Sequence, residues 1–185
     1  MNSIKQIEVI YNNRLVGRLA LTREGLCAFE YSAEWLSSGF SISPFELPLR
    51  SGVFIAKPRP FEGGFGVFDD CLPDGWGLLI LDRYLQQKGI NPRTLTLLDR
   101  LALVGSTGRG ALEFRPDNSV VTRQDFADFE KLALEAEKIL ASDDYMGEGI
   151  EEFQDRGGSP GGARPKIFVR YNDKEWLVKF RAKRD

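Results

Sequence analysis

The fold is decided near the end of the sequence by Gly157-Gly158-Ser159-Pro160-Gly161-Gly162-Ala163-Arg164-Pro165-Lys166 and the two apolar runs that follow, at 167–171 and 176–180. This stretch predicts a glycine-rich loop, a strand, a tight turn and a second strand that carries Lys179. Glycines let backbone N–H groups converge on an anion, and a strand lysine adds a positive charge suited to phosphate. The pattern therefore predicts half of a nucleotide-binding site. A flexible linker followed by an exposed strand lysine is the alternative interpretation of the same residues.

Overall charge gives no reason to expect direct binding to nucleic acid or to an anionic membrane. The 185 residues include 27 acidic and 25 basic side chains, for a formal net charge of −2. The charges are uneven, however: residues 124–152 hold ten acidic and two basic side chains, whereas 166–185 hold seven basic and three acidic ones. The basic end of the chain coincides with the predicted nucleotide site, where an anionic ligand is expected.

The numbers of histidine and cysteine residues limit the catalytic chemistry that the chain can carry out and indicate its cellular compartment. The chain has no histidine, which excludes Ser-His-Asp catalysis, Cys-His catalysis and histidine–metal sites. Its two cysteines, Cys27 and Cys71, lie far apart, which predicts free thiols in a reducing compartment rather than a disulfide. The sequence shows neither an apolar run of transmembrane length nor the layout of a signal peptide. We therefore expect a cytoplasmic protein with no membrane partner.

The first thirty residues predict an antiparallel meander. Apolar residues alternate over 4–11, Asn12-Asn13 favours a two-residue turn, and 14–20 returns as the second strand. A third strand is predicted at 26–31. Three short elements are predicted after the meander: a helical turn at 32–36, an edge strand at 45–49 and a loop at 57–66.

Three longer helices are predicted from apolar residues at helical spacing. The first opens within 67–77, with Pro73 in its first turn, and ends near Gly89. The others lie at 94–104 and 122–140, and the first two are expected to form an antiparallel pair. Asp69, Asp70 and Asp74 fall where the first of these helices is expected to begin. They are predicted to complement the helix dipole, and a metal site is the less favoured alternative. The sequence as a whole predicts an α+β fold, in which a small antiparallel or mixed β-sheet packs with about three helices.

A second glycine-rich run, at 105–110, is predicted to be a turn. A dinucleotide-binding loop follows a strand and precedes a helix. Here the predicted order is the reverse, because a helix comes before the run and a strand after it. We therefore expect an ordinary connection between helix and strand.

Five stretches, taken in order, resemble landmarks of the HipA-type toxin kinases. They are 29–36, 47–49, 68–76, 103–105 with 110–112, and 159–166. The resemblance implies a serine/threonine protein kinase of a bacterial toxin–antitoxin module, which uses ATP and Mg²⁺ in its complete form. It also implies an aminoacyl-tRNA synthetase as substrate and a HipB-like helix-turn-helix antitoxin as partner. Any contact with DNA would run mainly through that antitoxin.

The resemblance also assigns roles to residues of the terminal stretch. ATP binding is implied for Ser159, Gly161, Gly162, Ala163, Arg164, Lys166 and Lys179. Ser159 falls where the family carries its autophosphorylated serine, and a phosphate there would compete with ATP for the loop. Arg164 departs from the glutamine that the family usually has at this position.

By the same resemblance, the chain divides into three parts. Residues 1–144 correspond to the family's N-terminal subdomain, 145–156 to a connector, and 157–185 to the start of a kinase core with a kinase-like N-lobe. The family's catalytic aspartate and Mg²⁺ ligands lie further downstream, so we expect no catalytic or metal-binding residue here and an inactive, truncated portion. This portion would complete the ATP site of a kinase core in cis. The alternative is a stand-alone module that pairs with, or neutralises, a separately encoded core in trans.

Overall fold

The computed structural model describes residues 3–119, 128–157 and 162–181. The chain has an α+β fold, as predicted from the sequence, and divides into two compact units. Unit 1 consists of Met1–Leu72 and Leu95–Ser119, and unit 2 of Pro73–Thr94 and Val120–Asp185. The chain therefore passes from unit 1 into unit 2, returns, and then enters unit 2 again.

The described residues form seven β-strands and six α-helices, where about three helices were predicted. The strands are β1 (Gln6–Tyr11), β2 (Arg14–Leu21), β3 (Cys27–Tyr31), β4 (Val53–Ile55), β5 (Glu113–Arg115), β6 (Lys166–Tyr171) and β7 (Lys174–Lys179). The helices are α1 (Ala33–Ser38), α2 (Gly66–Asp69), α3 (Gly75–Gln87), α4 (Leu97–Val104), α5 (Phe129–Ala141) and α6 (Gly149–Gly157). The number of helices exceeds the prediction because α1, α2 and α6 are short.

Unit 1 is built on a five-stranded antiparallel sheet in the order β4-β3-β2-β1-β5. The predicted meander β1–β3 is confirmed. Asn12 and Asn13 form its first turn with φ angles of 48° and 60°, a conformation that asparagine tolerates better than most residues. Ile7, Leu19 and Phe29 are cross-strand neighbours, and all three are fully buried in the core of unit 1.

Helices α1, α2 and α4 add Trp35, Phe68 and Leu101 to this core. Helix α4 begins with a capping box, in which the Thr96 hydroxyl accepts the Asp99 N–H and the Asp99 carboxylate accepts the Thr96 N–H. The same carboxylate accepts the N–H of Ile4 at 2.9 Å. Asp99 thereby ties the beginning of the chain to α4.

Unit 2 packs α3, α5 and α6 with the β6–β7 hairpin. Trp76 meets Phe153 edge to face at 5.0 Å between ring centroids, and Phe153 meets Phe180 in the same way at 5.8 Å. Arg83 of α3 is buried, and its guanidinium donates hydrogen bonds to the carbonyls of Ile139 at 2.7 Å and Ser142 at 2.9 Å. Arg83 therefore satisfies carbonyl groups at the C-terminal end of α5, which have no partner within the helix itself.

The edge strand predicted at 45–49 is wrong. This segment has only an isolated β-bridge between Ser43 and Leu47, and the edge strands of the sheet are β4 and β5. Pro44 and Pro48 lack the N–H groups that a paired strand requires, which accounts for the difference.

The helix predicted to open within 67–77, with Pro73 in its first turn, is present as α3, and the short helix α2 before it was not predicted. Pro73 explains the break between α2 and α3, since a proline disfavours helical geometry in the residue before it. Asp74 is the N-cap of α3, but Asp69 and Asp70 lie at the C-terminal end of α2, so the predicted role of these two at a helix start is wrong. Burial raises the pKa of Asp69, and the neighbouring charges of Asp70 and Glu62 raise it further.

Two further predictions concern how segments are joined. The antiparallel pairing predicted for the helices that correspond to α3 and α4 stays a prediction, since α3 belongs to unit 2 and α4 to unit 1. The predicted domain limits, 1–144, 145–156 and 157–185, stay a prediction, although the connector segment contains helix α6. The helix predicted at 122–140 is confirmed as α5 from Phe129 onward, and its predicted start at 122–127 lies outside the described residues.

Candidate phosphate-binding site

The candidate site is the open end of the β6–β7 hairpin, together with the residues 162–165 that lead into it. Asn172 and Asp173 close the opposite end in a turn with φ angles of 51° and 57°. At the open end Lys166 and Lys179 are direct partners in the antiparallel register. Directly opposite residues of paired strands point to the same face of the sheet, so these two lysines lie side by side.

The two faces of the hairpin have different roles. Ile167 and Val169 point to one face and are buried in the core of unit 2. Lys166 and Lys179 point to the other face. Like charges directly opposite each other destabilise a strand pair, and an anion bound beside them would remove that penalty.

The two lysines differ in their surroundings. Lys166 is only 4% exposed, and its ammonium group donates a hydrogen bond to the Gly162 carbonyl at 2.9 Å, whereas Lys179 is exposed. Burial lowers the pKa of Lys166, the charges of Lys179 and Arg164 lower it further, and Asp74 acts in the opposite direction. Lys166 therefore helps to hold Gly162 in place, and Lys179 presents its charge to solvent.

Gly162 is held against the N-terminus of α3 by a reciprocal pair of hydrogen bonds. The Asp74 Oδ1 accepts the Gly162 N–H at 2.8 Å, and the Gly162 carbonyl accepts the Trp76 N–H at 3.0 Å. Gly75 lies between Asp74 and Trp76 with a φ of 44°, and a Cβ there would come within 2.9 Å of the backbone of Gly162 and Ala163. A glycine is therefore required at position 75 for the two segments to approach this closely.

The structure brings together most of the residues that the sequence assigned to ATP binding. Gly162, Lys166 and Lys179 lie in one cluster, and Ala163 and Arg164 are exposed beside it. The remaining two assigned residues, Ser159 and Gly161, lie outside the described residues. The assignment of ATP binding itself stays a prediction.

The sequence alone does not indicate that Asp74 and Trp76 belong to this cluster. They precede Gly162 by more than eighty residues, and no local pattern indicates that contact. The one available signal was Gly75 directly after an N-cap aspartate, since a glycine at a helix start permits a close approach of another backbone. Among the described residues no group of three or more Asp, Glu or Cys side chains is placed to hold a metal ion.

The second glycine-rich run is the turn between α4 and β5 that the sequence predicts. Gly105 ends α4 with a φ of 51°, and the Ser106 N–H donates a hydrogen bond to the Asp117 carboxylate at 3.0 Å. Asp117 also accepts the N–H and the hydroxyl of Ser119. The Ser106 N–H is thus already paired within the protein.

Comparison with known proteins identifies the family. A family model described as the HipA N-terminal domain matches residues 7–115. The chain belongs to the HipA N-terminal domain family. The resemblance found in the sequence is thereby confirmed, and membership places the chain in a toxin–antitoxin context. A comparison with curated proteins gave no match.

The HipA family model covers only one part of the candidate site. Asp74 and Trp76 lie within the matched residues 7–115, and so do four of the five landmarks that carry the resemblance. Gly162 and the two lysines lie beyond it, so the assignment of Gly162 and Lys166 depends on the landmark at 159–166 and that of Lys179 on the run at 176–180. None of the helices in the described part of this HipA-family chain has the length and apolar character needed to cross a bilayer.

Proposed function

We propose that this chain is the N-terminal portion of a HipA-type serine/threonine kinase toxin that acts in the cytoplasm. Its segment from Gly162 to Lys179 supplies the phosphate-binding part of the ATP site, and a kinase core in cis supplies the rest. In this proposal Lys179 contacts phosphate directly, while Gly162 and Ala163 offer backbone N–H groups. Arg164 and Lys166 add positive charge around the same point.

One observation carries the proposal, namely the pairing of Lys166 and Lys179 at the open end of the hairpin. The two residues are direct cross-strand partners on the face opposite the core, and Arg164 adds to the charge that lowers the Lys166 pKa. A site that concentrates cations in this way favours a polyanion such as the triphosphate of ATP.

ATP titration followed by calorimetry tests the proposal. We expect Lys179→Ala to weaken ATP binding by about ten- to a hundred-fold, since one charge-assisted hydrogen bond contributes about 1.5–3 kcal/mol. The matched control is Lys174→Ala, which removes the same charge from the other end of β7 at an exposed position. We expect this control to bind ATP as the wild type does.

The outcomes separate the two proposed modes of action. Equal ATP binding by the wild type and Lys179→Ala, both alone and after a core protein is added, would refute the phosphate site. The alternative, a stand-alone module that pairs with or neutralises a separately encoded core, predicts that Lys179-dependent binding appears only after a core protein is added. Binding by the chain alone supports the first mode.

The proposal includes partners and a modification that rest on family membership. The partners are a HipB-like helix-turn-helix antitoxin, which would mediate contact with DNA, and an aminoacyl-tRNA synthetase as the substrate of the complete kinase. Ser159 is proposed as the autophosphorylated residue. A phosphate there would bring about −1.5 to −2 charges to the loop and compete with ATP for the same cations.

A further inference from the structure

The N-cap of α3 is used in an unusual way. An N-cap aspartate ordinarily accepts an N–H from the first turn of its own helix. Asp74 occupies the N-cap position of α3, yet its side chain makes no bond to that helix. Its carboxylate accepts the N–H of Gly162 instead, and the Gly162 carbonyl accepts the Trp76 N–H that the cap would otherwise serve. Gly162 thus supplies the acceptor for the helix N–H, and the N-cap side chain binds Gly162 and not its own helix.

The Asp74 carboxylate is also the negative charge that faces the basic cluster. Burial is the main reason for the lowered pKa of Lys166, and Lys179 and Arg164 add to it, whereas the charge of Asp74 opposes it. Asp74 therefore serves as an internal counter-charge for the same cations that are proposed to bind phosphate. Since one N–H forms one strong hydrogen bond, Asp74 and a phosphate oxygen cannot both hold Gly162.

We propose that Asp74 is an internal competitor of the nucleotide, a property that rests on the proposed function of this site. Without nucleotide, the Asp74 carboxylate holds the Gly162 N–H and neutralises part of the cluster. A nucleotide phosphate takes over that N–H, and Asp74 turns back to cap α3 through the Trp76 N–H. In both arrangements the Gly162 and Trp76 N–H groups have an acceptor, and the Gly162 carbonyl, which gives up the Trp76 N–H, keeps the Lys166 ammonium group as a donor. Asp74 therefore sets the threshold for nucleotide binding.

Asp74→Asn tests this inference, because asparagine keeps an oxygen that accepts the Gly162 N–H while it removes the negative charge. We expect Asp74→Asn to bind ATP about three- to ten-fold more tightly than the wild type, since one unit of repulsion acting on several phosphate charges is removed. The gain should shrink as salt is added, because the site is partly exposed. A merely structural role for Asp74 predicts weaker binding, not tighter.

The matched control is Asp173→Asn, which removes the same charge at the closed end of the hairpin. Asn is tolerated there, since the Asp173 φ is 57°. Five residues of β7 separate Asp173 from Lys179, which corresponds to about 20 Å and exceeds the screening length in physiological salt. We expect ATP affinity equal to that of the wild type. A second measurement is the exchange rate of the Gly162 amide with deuterated water, which we expect to be faster in Asp74→Ala than in the wild type without nucleotide.

The outcomes distinguish this inference from the proposed function. If ATP binds the wild type through Lys179 but Asp74→Asn binds it no better than Asp173→Asn, the competitor role is overturned and the phosphate site stands. If neither the wild type nor Asp74→Asn binds ATP in a Lys179-dependent way, even after a core protein is added, the phosphate site is overturned and the competitor role falls with it. Tighter, salt-sensitive binding by Asp74→Asn together with its loss in Lys179→Ala supports both.

Discussion

Gly75→Ala is expected to loosen the contact between α3 and the loop, because the new methyl group has no room. Its carbon would lie 2.7 Å from the Gly162 carbonyl carbon, 2.8 Å from the Gly162 oxygen and 2.9 Å from the Ala163 nitrogen. Carbon atoms in contact are normally about 3.5–4.0 Å apart, so the segments must separate by about 1 Å. These neighbours are backbone atoms and cannot rotate out of the way.

The expected cost follows from the bonds that this movement breaks. The 3.0 Å hydrogen bond from Trp76 to Gly162 lengthens beyond hydrogen-bonding range, at a cost of about 1 kcal/mol, and the bond to Asp74 adds a similar amount. The left-handed φ of 44° adds about 1 kcal/mol for any residue other than glycine. We therefore expect Gly75→Ala to lower the free energy of unfolding by about 3 kcal/mol.

Gly89→Ala is the matched control for this experiment. Gly89 is in the same unit and has a φ of 73°, but a Cβ there would meet nothing within 4 Å. Gly89→Ala should therefore lower the free energy of unfolding only by the backbone strain, about 1 kcal/mol. The difference of about 2 kcal/mol corresponds to a urea midpoint about 1 M lower for Gly75→Ala. Equal midpoints for the two variants, with unchanged hydrogen exchange at the Trp76 amide, would refute this account of the contact.

Two further predictions concern buried polar groups. Arg83→Ala should lower the free energy of unfolding by about 3 kcal/mol in urea experiments, since a buried side chain loses two charge-assisted hydrogen bonds. Arg170→Ala, at an exposed position of β6, should change it by less than about 0.5 kcal/mol. Burial raises the pKa of Asp99, but hydrogen bonds from Ile4 and Thr96 outweigh it and leave the pKa below its ordinary 3.8. The ionised carboxylate therefore stabilises the fold above that value, and the contribution is lost as the pH falls through the folded pKa. Stability should fall more steeply with acid in the wild type than in Asp99→Asn, and parallel pH profiles would contradict this.

The sequence predicted those elements whose signals are local. The turn at Asn12-Asn13 and the alternation of apolar and polar residues around it predict the meander correctly. Both signals, the strand period and the turn residues, lie within about twenty consecutive residues. Helix α4 was found from Leu98, Leu101 and their neighbours, although the capping box shows that it begins three residues later than predicted. Strand β4 was missed, since three residues are too few to show a period.

Helix α6 was missed for a different reason. Four of its nine residues are charged, and only Ile150 and Phe153 are apolar, so the sequence pattern indicates a polar connector. Two apolar residues three positions apart are enough to anchor a short helix when both are fully buried, as they are here. Tertiary packing, which no local pattern records, stabilises this helix.

The candidate site shows the same division between local and distant information. The side-by-side placement of Lys166 and Lys179 follows from the length of the hairpin and its two-residue turn, so it was accessible from the sequence. The bond between Asp74 and Gly162 joins residues 88 positions apart, and only the folded structure reveals it.

The path of the chain between the two units limits how it can be divided. Because Pro73–Thr94 lies in unit 2 while its sequence neighbours lie in unit 1, no single cut yields two intact bodies. A fragment ending at 119 would keep all five strands of the unit 1 sheet, yet it would leave Trp76 and Ile80 without the later segments that bury them. Such exposed apolar surface promotes self-association. During synthesis, α3 likewise emerges uncovered, and unit 2 is completed only when the terminal hairpin has been made.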